Sequence, residues 1–530
     1  MANTSLIFVI NAQFPFIRHP EAPGCVEETR FFNALSYTWL PLLRTCTNLD
    51  AEGIPFKFAL VFSPSLCEMF ADQLLQDRYI ETLDRAIEFG LSELERNTGS
   101  NETRELIKLQ LDIIQLNRRD FVEIYERNIL KKIDYFANRG YIEILATTAT
   151  ACFLPLFADI PEAVNAQIET GLMSYRTHFT SFPSGFWLPA MAYSHGIEEV
   201  IKSYGFQYTI LESHGLLFAD PPPDAGLFAP AWCPNGLAVL GRDKRVSHEV
   251  YFGEDSIASN PVYLNVDRDI GFELDEESLS GLFDVRLGRR ITGFRYWSRN
   301  GTGTDSQSLY RFDEAHSQIC SDAATFLDRR YETLSKASAF LEGAPVSITC
   351  VFPAEVFGQS WYEGISWLEN LFRLAAVRRD VLFAQPSSCL QVKISDKRVE
   401  PYCSSWFDSG YAEEVLNNSN DWMYSYIRTA TLRMVDLAER FPGDSGLKER
   451  SLNMAARELF LAQSIDWFLL MNEGDKSEYG RSRFEESVKA FTVVYESLGS
   501  NFISTEWLTT IEKRHNLFSA INYRVFRKKK

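Results

Sequence analysis

Five short runs of β-branched, aromatic and aliphatic residues punctuate the chain: Leu6-Ile-Phe-Val-Ile10, Phe58-Ala-Leu-Val-Phe62, Ile142-Glu-Ile-Leu-Ala146, Tyr208-Thr-Ile-Leu211 and Ile348-Thr-Cys-Val-Phe352. Near-continuous apolarity of this kind, without polar alternation, marks strands covered on both faces, as in a parallel sheet or barrel. Between the second and third runs, Leu83, Ile87, Leu91 and Leu94 recur at helical spacing. Asn97-Thr-Gly-Ser-Asn101 interrupts that pattern and it resumes over 106–130. The pattern therefore predicts a helical hairpin inserted in a barrel, across about 70–136.

From about 212 to 310 the texture shifts to Pro, Gly, Asp and Ser, with Pro221-Pro222-Pro223, Gly241-Arg-Asp243 and Gly301-Thr-Gly-Thr304. Long loops of this composition at strand ends are where binding surfaces are built. Beyond about 405 the spacing is helical almost throughout, over 422–441, 447–471 and 479–498. The expected organisation is an α/β barrel over 1–400 and a helical C-terminal domain over 405–530. The sequence holds no internal repeat and no low-complexity tract.

Composition narrows the function classes. The 530 residues are 45% hydrophobic and 14% aromatic, enough for a large core and unlike a disordered or fibrous chain. A net charge of −18, from 53 Lys+Arg against 71 Asp+Glu, repels a phosphate backbone, so no nucleic acid partner is expected. The terminal Arg527-Lys528-Lys529-Lys530 run reads as a solvated tail. Nine cysteines are widely scattered without a C-x-x-C pair, and most read as buried thiols in a reducing compartment. Met-Ala-Asn-Thr-Ser lacks the basic start of a signal peptide, and no apolar segment approaches the ~20 residues of a membrane helix. A cytoplasmic protein without membrane contact is expected.

No metal and no cofactor is expected either. The seven histidines, His19, His178, His195, His214, His248, His316 and His515, include no pair at i, i+4 ligand spacing. His214, after a predicted strand, reads as a structural donor. There is no Gly-x-Ser-x-Gly elbow and no phosphate-binding Gly-Lys-Ser/Thr, and Gly301-Thr-Gly303 lacks the context of a dinucleotide fingerprint.

Several phrases recur in one order along nearly the whole chain: Arg18-His-Pro-Glu21, Ser63-Pro-Ser-Leu-Cys-Glu68, Gly185-Phe-Trp-Leu-Pro189, Arg268-Asp-Ile-Gly-Phe272, Ala354-Glu-Val-Phe-Gly358 with Trp361-Tyr-Glu-Gly364, Ser404-Ser-Trp406 and Asp466-Trp467. Together they resemble glycoside hydrolase family 57, and especially its 1,4-α-glucan branching enzymes. The resemblance implies an incomplete (β/α)7 barrel with a helical insertion and a C-terminal helical domain. It also implies retaining glycosyl transfer, which needs two carboxyl groups, one as nucleophile and one as acid/base.

Those two positions are changed here. The family nucleophile, the Glu of Trp-Leu-Pro-Glu, falls on Ala190 in Trp187-Leu-Pro-Ala190, which has no nucleophilic atom. The family acid/base, an Asp, falls on Pro353 in Pro353-Ala-Glu-Val-Phe-Gly-Gln359, which carries no side-chain proton. The His-x-His-x-Pro motif reads Asn11-Ala-Gln13-Phe-Pro15, and two further family histidines fall on Ala151 and Gln359. Two family tryptophans fall on Arg30 and Val415, whereas Trp406 and Asp466 are kept.

The reading is a catalytically impaired homologue that binds α-glucan weakly, with no catalytic residue. Its candidate contacts are Trp406, Asp466, Trp467, Trp187, Trp361, Gln13 and Gln359. Two alternatives stand beside it. One is an active α-glucan-processing enzyme whose carboxylates have moved to Glu355, Asp466 or Glu143, and the other is an interaction subunit with a protein partner. Trp187 and Trp361 read first as core packing and only second as ligand contacts, and Glu355 and Glu143 read first as holding a loop or an arginine in place. Asp267 and Asp269, flanking Arg268, read as a local ion pair.

Overall fold

All five apolar runs are strands in a computed structural model that describes residues 4–22, 24–300, 308–500 and 504–529. The Gly301-Thr-Gly-Thr304 turn, the first three residues and Lys530 of the basic tail lie outside the described residues. The strands are β1 (Thr4–Ala12), β2 (Phe58–Phe62), β3 (Ile142–Leu145), β4 (Gly185–Phe186), β5 (Tyr208–Leu211), β6 (Ala231–Trp232), β7 (Ala238–Gly241), β8 (Val346–Pro353) and β9 (Leu382–Ala384).

One sheet runs β3-β2-β1-β8, with β9 also beside β1, and every pairing in it is parallel. The second runs β4-β5-β7-β6, parallel except for β6. Two isolated parallel bridges, Ala146↔Phe186 and Arg242↔Thr349, draw β3 to β4 and β7 to β8. Following the neighbours gives a ring in the order β1-β2-β3-β4-β5-β7-β8, held at its two seams by single bridges. The alternation along the strands explains their all-apolar sequences. Ile7, Val9, Ala59, Val61, Tyr208, Ile210, Ala238, Leu240 and Val351 pack together inside the ring, with Trp187. Leu6, Phe8, Ile10, Phe58, Leu60, Ile348 and Phe352 pack outward into the larger core.

Four expectations are corrected, three of them in the barrel region. The helical spacing over 106–130 is not one helix. The helix Asn101–Arg119 widens into a π-helical turn at Asp120–Ile124, Glu126 and Arg127 take positive φ of 48° and 63°, and a new helix starts at Ile129, where Asn128 accepts from the Lys131 N–H. The stretch 212–310 is not loop alone. It contains β7, a barrel strand, because Gly241 ends that strand and Asp243 caps the short helix Lys244–Ser247. Asp269 does not pair with Arg268. Its carboxylate accepts from the N–H groups of Gly271, Thr292 and Gly293 and from the Thr292 hydroxyl (2.6–3.0 Å), and Arg268 pairs with Glu273 at 2.7 Å.

The C-terminal region consists of the helices Asp421–Arg440, Leu447–Ala462, Ile465–Leu470, Ser477–Ser500 and Thr505–Arg514. The expected 447–471 helix is broken at Gln463-Ser464, where it meets the loop after β3. Among the described residues no helix is long and apolar enough to cross a membrane.

That loop is held from behind by Gly171, in the helix Pro161–His178. A Cβ added there stands 2.1 Å from the Thr147 carbonyl oxygen and 3.0 Å from the Thr148 carbonyl carbon, both backbone atoms. Gly171→Ala is expected to destabilise the protein by about 1–3 kcal/mol, because the overpacking outweighs alanine's better helix propensity of ~1 kcal/mol. Urea unfolding checks this, and an unchanged or higher midpoint refutes it.

Candidate functional site

The carboxyl ends of the barrel strands open into a cavity of about 210 Å³ lined by Asn11, Gln13, Arg30, Pro353, Glu355, Trp406 and Asp466, with Leu469, Leu470 and Glu473 on the helical side. A second lobe of about 360 Å³, reaching Lys244, His248, Tyr251, Asp408 and Glu414, shares Pro353, Trp406 and Leu469 with the first. The register of β1 and β8 places Asn11 directly beside Pro353 at the mouth. Proline suits the last position of β8 because the ladder needs no further donor there.

Asp466 enters from the first turn of the helix Ile465–Leu470. It accepts from Gln13 Nε2 at 2.9 Å and from Ser464 Oγ at 2.6 Å. Burial still pushes its carboxyl above the usual range, against those two bonds and the Arg30 charge. Glu355, in the turn after β8, is pushed up to about 6 by burial, with the Asp466 charge acting in the same direction and Arg30 opposing. A carboxyl titrating near pH 6 can exchange protons at working pH.

Trp406 is half-buried and borders both lobes. Its backbone N–H donates to the Ala190 carbonyl at 2.8 Å, and its ring stands edge-on to Trp187 with centroids 5.9 Å apart. Ala190 itself is fully buried, and it and Met191 have positive φ of 54° and 48°.

Of the seven expected contacts, Gln13, Trp406 and Asp466 meet in one cavity. The other four do not. Trp187 fills the barrel interior. Trp361 is enclosed between Tyr263 and Trp367, at centroid separations of 5.6 and 5.5 Å. Trp467 is buried with its indole N–H donated to the Leu461 carbonyl at 2.7 Å. Indoles at strand ends and helix interiors are large enough to serve as core, and these three present no free face to a ligand. Gln359 turns away and donates to Thr38 Oγ1 at 3.2 Å.

Glu143 takes the loop-holding role rather than that of a relocated base. It is the second residue of β3 and accepts from the Tyr208 hydroxyl (2.7 Å) and from Ser387 N and Oγ (3.0 and 2.7 Å). At ~3.3 Å per residue the strand carries it about 10 Å from the mouth. It fastens the opposite pole of the barrel. His214 bonds the Gly410 carbonyl at 3.0 Å, as a structural histidine does.

Two arrangements escaped the sequence reading. Glu212 and Arg242, after β5 and β7, form a buried ion pair at 2.8 Å at the mouth. The potential ligand atoms of His19, Cys25 and Glu27 lie within 4.8 Å of one another. A search restricted to histidine pairs passes over the second, whose signal is a His-x5-Cys-x-Glu spacing.

Comparison with known proteins agrees with this architecture. Residues 7–268 match the family described as glycosyl hydrolase family 57, and residues 426–526 match the 1,4-alpha-glucan branching enzyme C-terminal domain. The chain is 25% identical over 557 residues to the 1,4-alpha-glucan branching enzyme TK1436 of Thermococcus kodakarensis, an alignment spanning 97% of this chain and 77% of that protein. Among solved structures, the alpha-amylase AmyC from Thermotoga maritima is similar with a TM-score of 0.92 at 29% identity, covering 100% of both chains. The GH57-type branching enzyme from Pyrococcus horikoshii is similar with a TM-score of 0.87 at 26% identity, covering 100% of this chain and 97% of that one.

The Glu355 carboxyl yields a pH test. Its native value of about 6 lies above its ordinary 4.5, so the folded state holds the proton more tightly. That contribution is complete below about pH 4.5 and is lost as pH rises through 6. Glu355→Gln is therefore expected to gain up to about 2 kcal/mol over the parent at pH 8, shrinking toward zero at pH 4. Unfolding curves at the two pH values check this, and a difference independent of pH refutes it.

Proposed function

We propose that the chain, whose residues 7–268 match glycosyl hydrolase family 57 and whose residues 426–526 match the branching-enzyme C-terminal domain, is a family member that has lost retaining glycosyl transfer and keeps a weak α-glucan cleft at its barrel mouth. The observation that carries this reading is Pro353. At the position the resemblance assigns to the acid/base, it lines the same cavity as Trp406 and Asp466, and its ring has no proton to give. The nucleophile position, Ala190, is fully buried and carries only a methyl group. Retaining transfer requires both groups, so losing either is disabling.

What remains suits binding. Trp406 offers a ring for the apolar face of a sugar, and Gln13, Arg30 and Asp466 offer donors and acceptors for hydroxyls. Val415, at a second family tryptophan position, is fully buried, and Arg30 replaces a third ring. Each lost ring removes about 0.5–1.5 kcal/mol, and each ~1.4 kcal/mol is tenfold in affinity, which moves a micromolar site toward millimolar. Nine free cysteines fit a reducing cytoplasmic setting.

One observation favours a second reading. Glu355 and Asp466 share the cavity, and burial raises both carboxyls. Two carboxyls with raised values in one cleft are what an α-glucan-processing enzyme with relocated carboxylates would start from.

Electrophoresis in gels containing glycogen or amylopectin tests the binding. Retarded migration that Trp406→Ala or Asp466→Ala abolishes is expected, and unchanged mobility at high polysaccharide concentration overturns the cleft and leaves the barrel as a surface for a protein partner. Incubation with amylose followed by debranching is expected to release no new short chains. New α-1,6 branches that Glu355→Gln eliminates establish the second reading instead.

A further inference from the structure

The loop after β1 and the first turn of the helix Val26–Asn33 carry three donors of different kinds on one short stretch. One atom each of His19, Cys25 and Glu27, a ring nitrogen, a thiol sulfur and a carboxylate oxygen, lie within 4.8 Å of one another. Donors ~2.0–2.3 Å from a single tetrahedral ion stand roughly 3.3–3.8 Å apart, so a modest inward movement lets one ion bridge all three. We propose that His19, Cys25 and Glu27 bind a thiophilic divalent transition metal of the zinc type, with water in the fourth position.

The second observation is how the loop holds the histidine. Nε2 of His19 bonds the Tyr479 hydroxyl at 2.9 Å, while Nδ1 has no hydrogen-bond partner among the described residues. An outer partner on one ring nitrogen is what fixes the tautomer and aim of a metal-ligating imidazole. The His19 backbone is tied as well, its N–H donating to Glu28 Oε1 and its carbonyl accepting from Arg78 Nη1, both at 3.0 Å. Burial, with the Arg483 charge, holds the imidazole down to about 4, so it is neutral with its lone pair available at neutral pH.

The thiol completes the chemistry. Cys25 Sγ–H donates to Glu27 Oε2. Burial, that bond and the Glu27 charge push the thiol up to about 12, so it is no free nucleophile. A divalent cation takes the place of the shared proton. The S–H bond breaks, the proton leaves to solvent, and thiolate and carboxylate bind the ion beside a neutral imidazole. One proton is released per ion, and the complex is neutral. Arg483 and His515 face His19, with Glu27 and Glu486 opposing them, and Arg290 faces Cys25 and Glu27.

The position gives the ion a role. Beside the cluster, Arg18 pairs with Asp72 at 2.9 Å and donates to the Lys513 carbonyl at 2.5 Å, and Glu21 pairs with Arg514 at 3.1 Å. A bound ion staples this loop, which joins the barrel to the helical region, and fixes the start of the helix that carries Arg30 to the mouth.

The test uses the full chain, stripped of metal, with exposed Cys403 changed to Ser. Cobalt(II) titration is expected to raise a near-ultraviolet thiolate-to-cobalt band saturating at one ion per chain, displaced by zinc. Cys25→Ser and His19→Gln should abolish it, while Tyr479→Phe weakens zinc binding by about 10–100-fold. Zinc should raise the melting temperature of the parent and leave that of Cys25→Ser unchanged, a comparison that holds if metal-free Cys25→Ser melts as the metal-free parent does. Absence of the band, or a band that survives Cys25→Ser, overturns the proposal and leaves the cluster a thiol–carboxylate hydrogen bond. If Cys25→Ser fails to fold, Glu27→Gln, which leaves the thiol in place, is expected to reduce zinc affinity at least about tenfold, and unchanged affinity likewise overturns it.

Discussion

Ile465 donates its backbone N–H to the Ala151 carbonyl at 2.7 Å, and around that bond the helical region and the barrel share a buried polar network. Thr150 Oγ1 donates to the Phe460 carbonyl at 2.6 Å. Gln167 Nε2 reaches Gln463 Oε1 at 2.8 Å, and Gln463 Nε2 reaches Thr431 Oγ1 at 2.9 Å. Each group is inaccessible to water, so a single broken member leaves an unpaired partner at a cost of about 1–3 kcal/mol. The joint is the reason the helical run stops at Gln463-Ser464 and restarts at Ile465. The restart turns Asp466 toward the mouth, where Gln13 donates to it. The cavity, the raised Asp466 carboxyl and its influence on Glu355 all follow from this docking.

The barrel was legible where burial on both faces leaves a continuous apolar run, and all five such runs are strands. It was illegible where a strand ends in glycine within a Pro- and Gly-rich stretch. β7 is no shorter than β3 or β5, but it ends in Gly241 and lies inside that stretch, whose composition masks its three apolar residues. The break at 125–128 was missed for a related reason: Glu126 and Arg127 adopt left-handed φ without glycine, which neither composition nor spacing announces.

At the mouth, the resemblance to family 57, rather than residue type, marked Gln13, Trp406 and Asp466 among seven candidates, and the structure gathers these three. Trp187 and Trp361 are core, the reading put first for them, and Trp467 joins them, because an indole beside a strand end or in a helix reads the same whether its face meets solvent or core. Glu143 holds the Ser387 loop, the structural reading put first for it, although a carboxylate within a strand gives no sign of which pole it serves. The charges of Arg30, Glu355 and Asp466 interact only because three distant segments converge, a relation that no local pattern carries.

The backbone at Ala190 adds a further step. Left-handed φ at two successive residues with side chains costs on the order of 1–3 kcal/mol each and persists only where surroundings over-determine it. Here they do. The Ala190 carbonyl accepts from the Trp406 N–H, and Tyr193 and Ser404 exchange two backbone hydrogen bonds at 2.8 and 3.1 Å. The turn through Ala190 and Met191 is what brings the 190–193 segment alongside 404–406, and with it the Trp406 ring to the boundary of both lobes. The strain therefore has a structural consequence that does not depend on a carboxylate at residue 190: it positions the aromatic wall of the cleft. A site can lose the atoms of its chemistry and keep the backbone that held them when the same backbone shapes the surface a ligand meets.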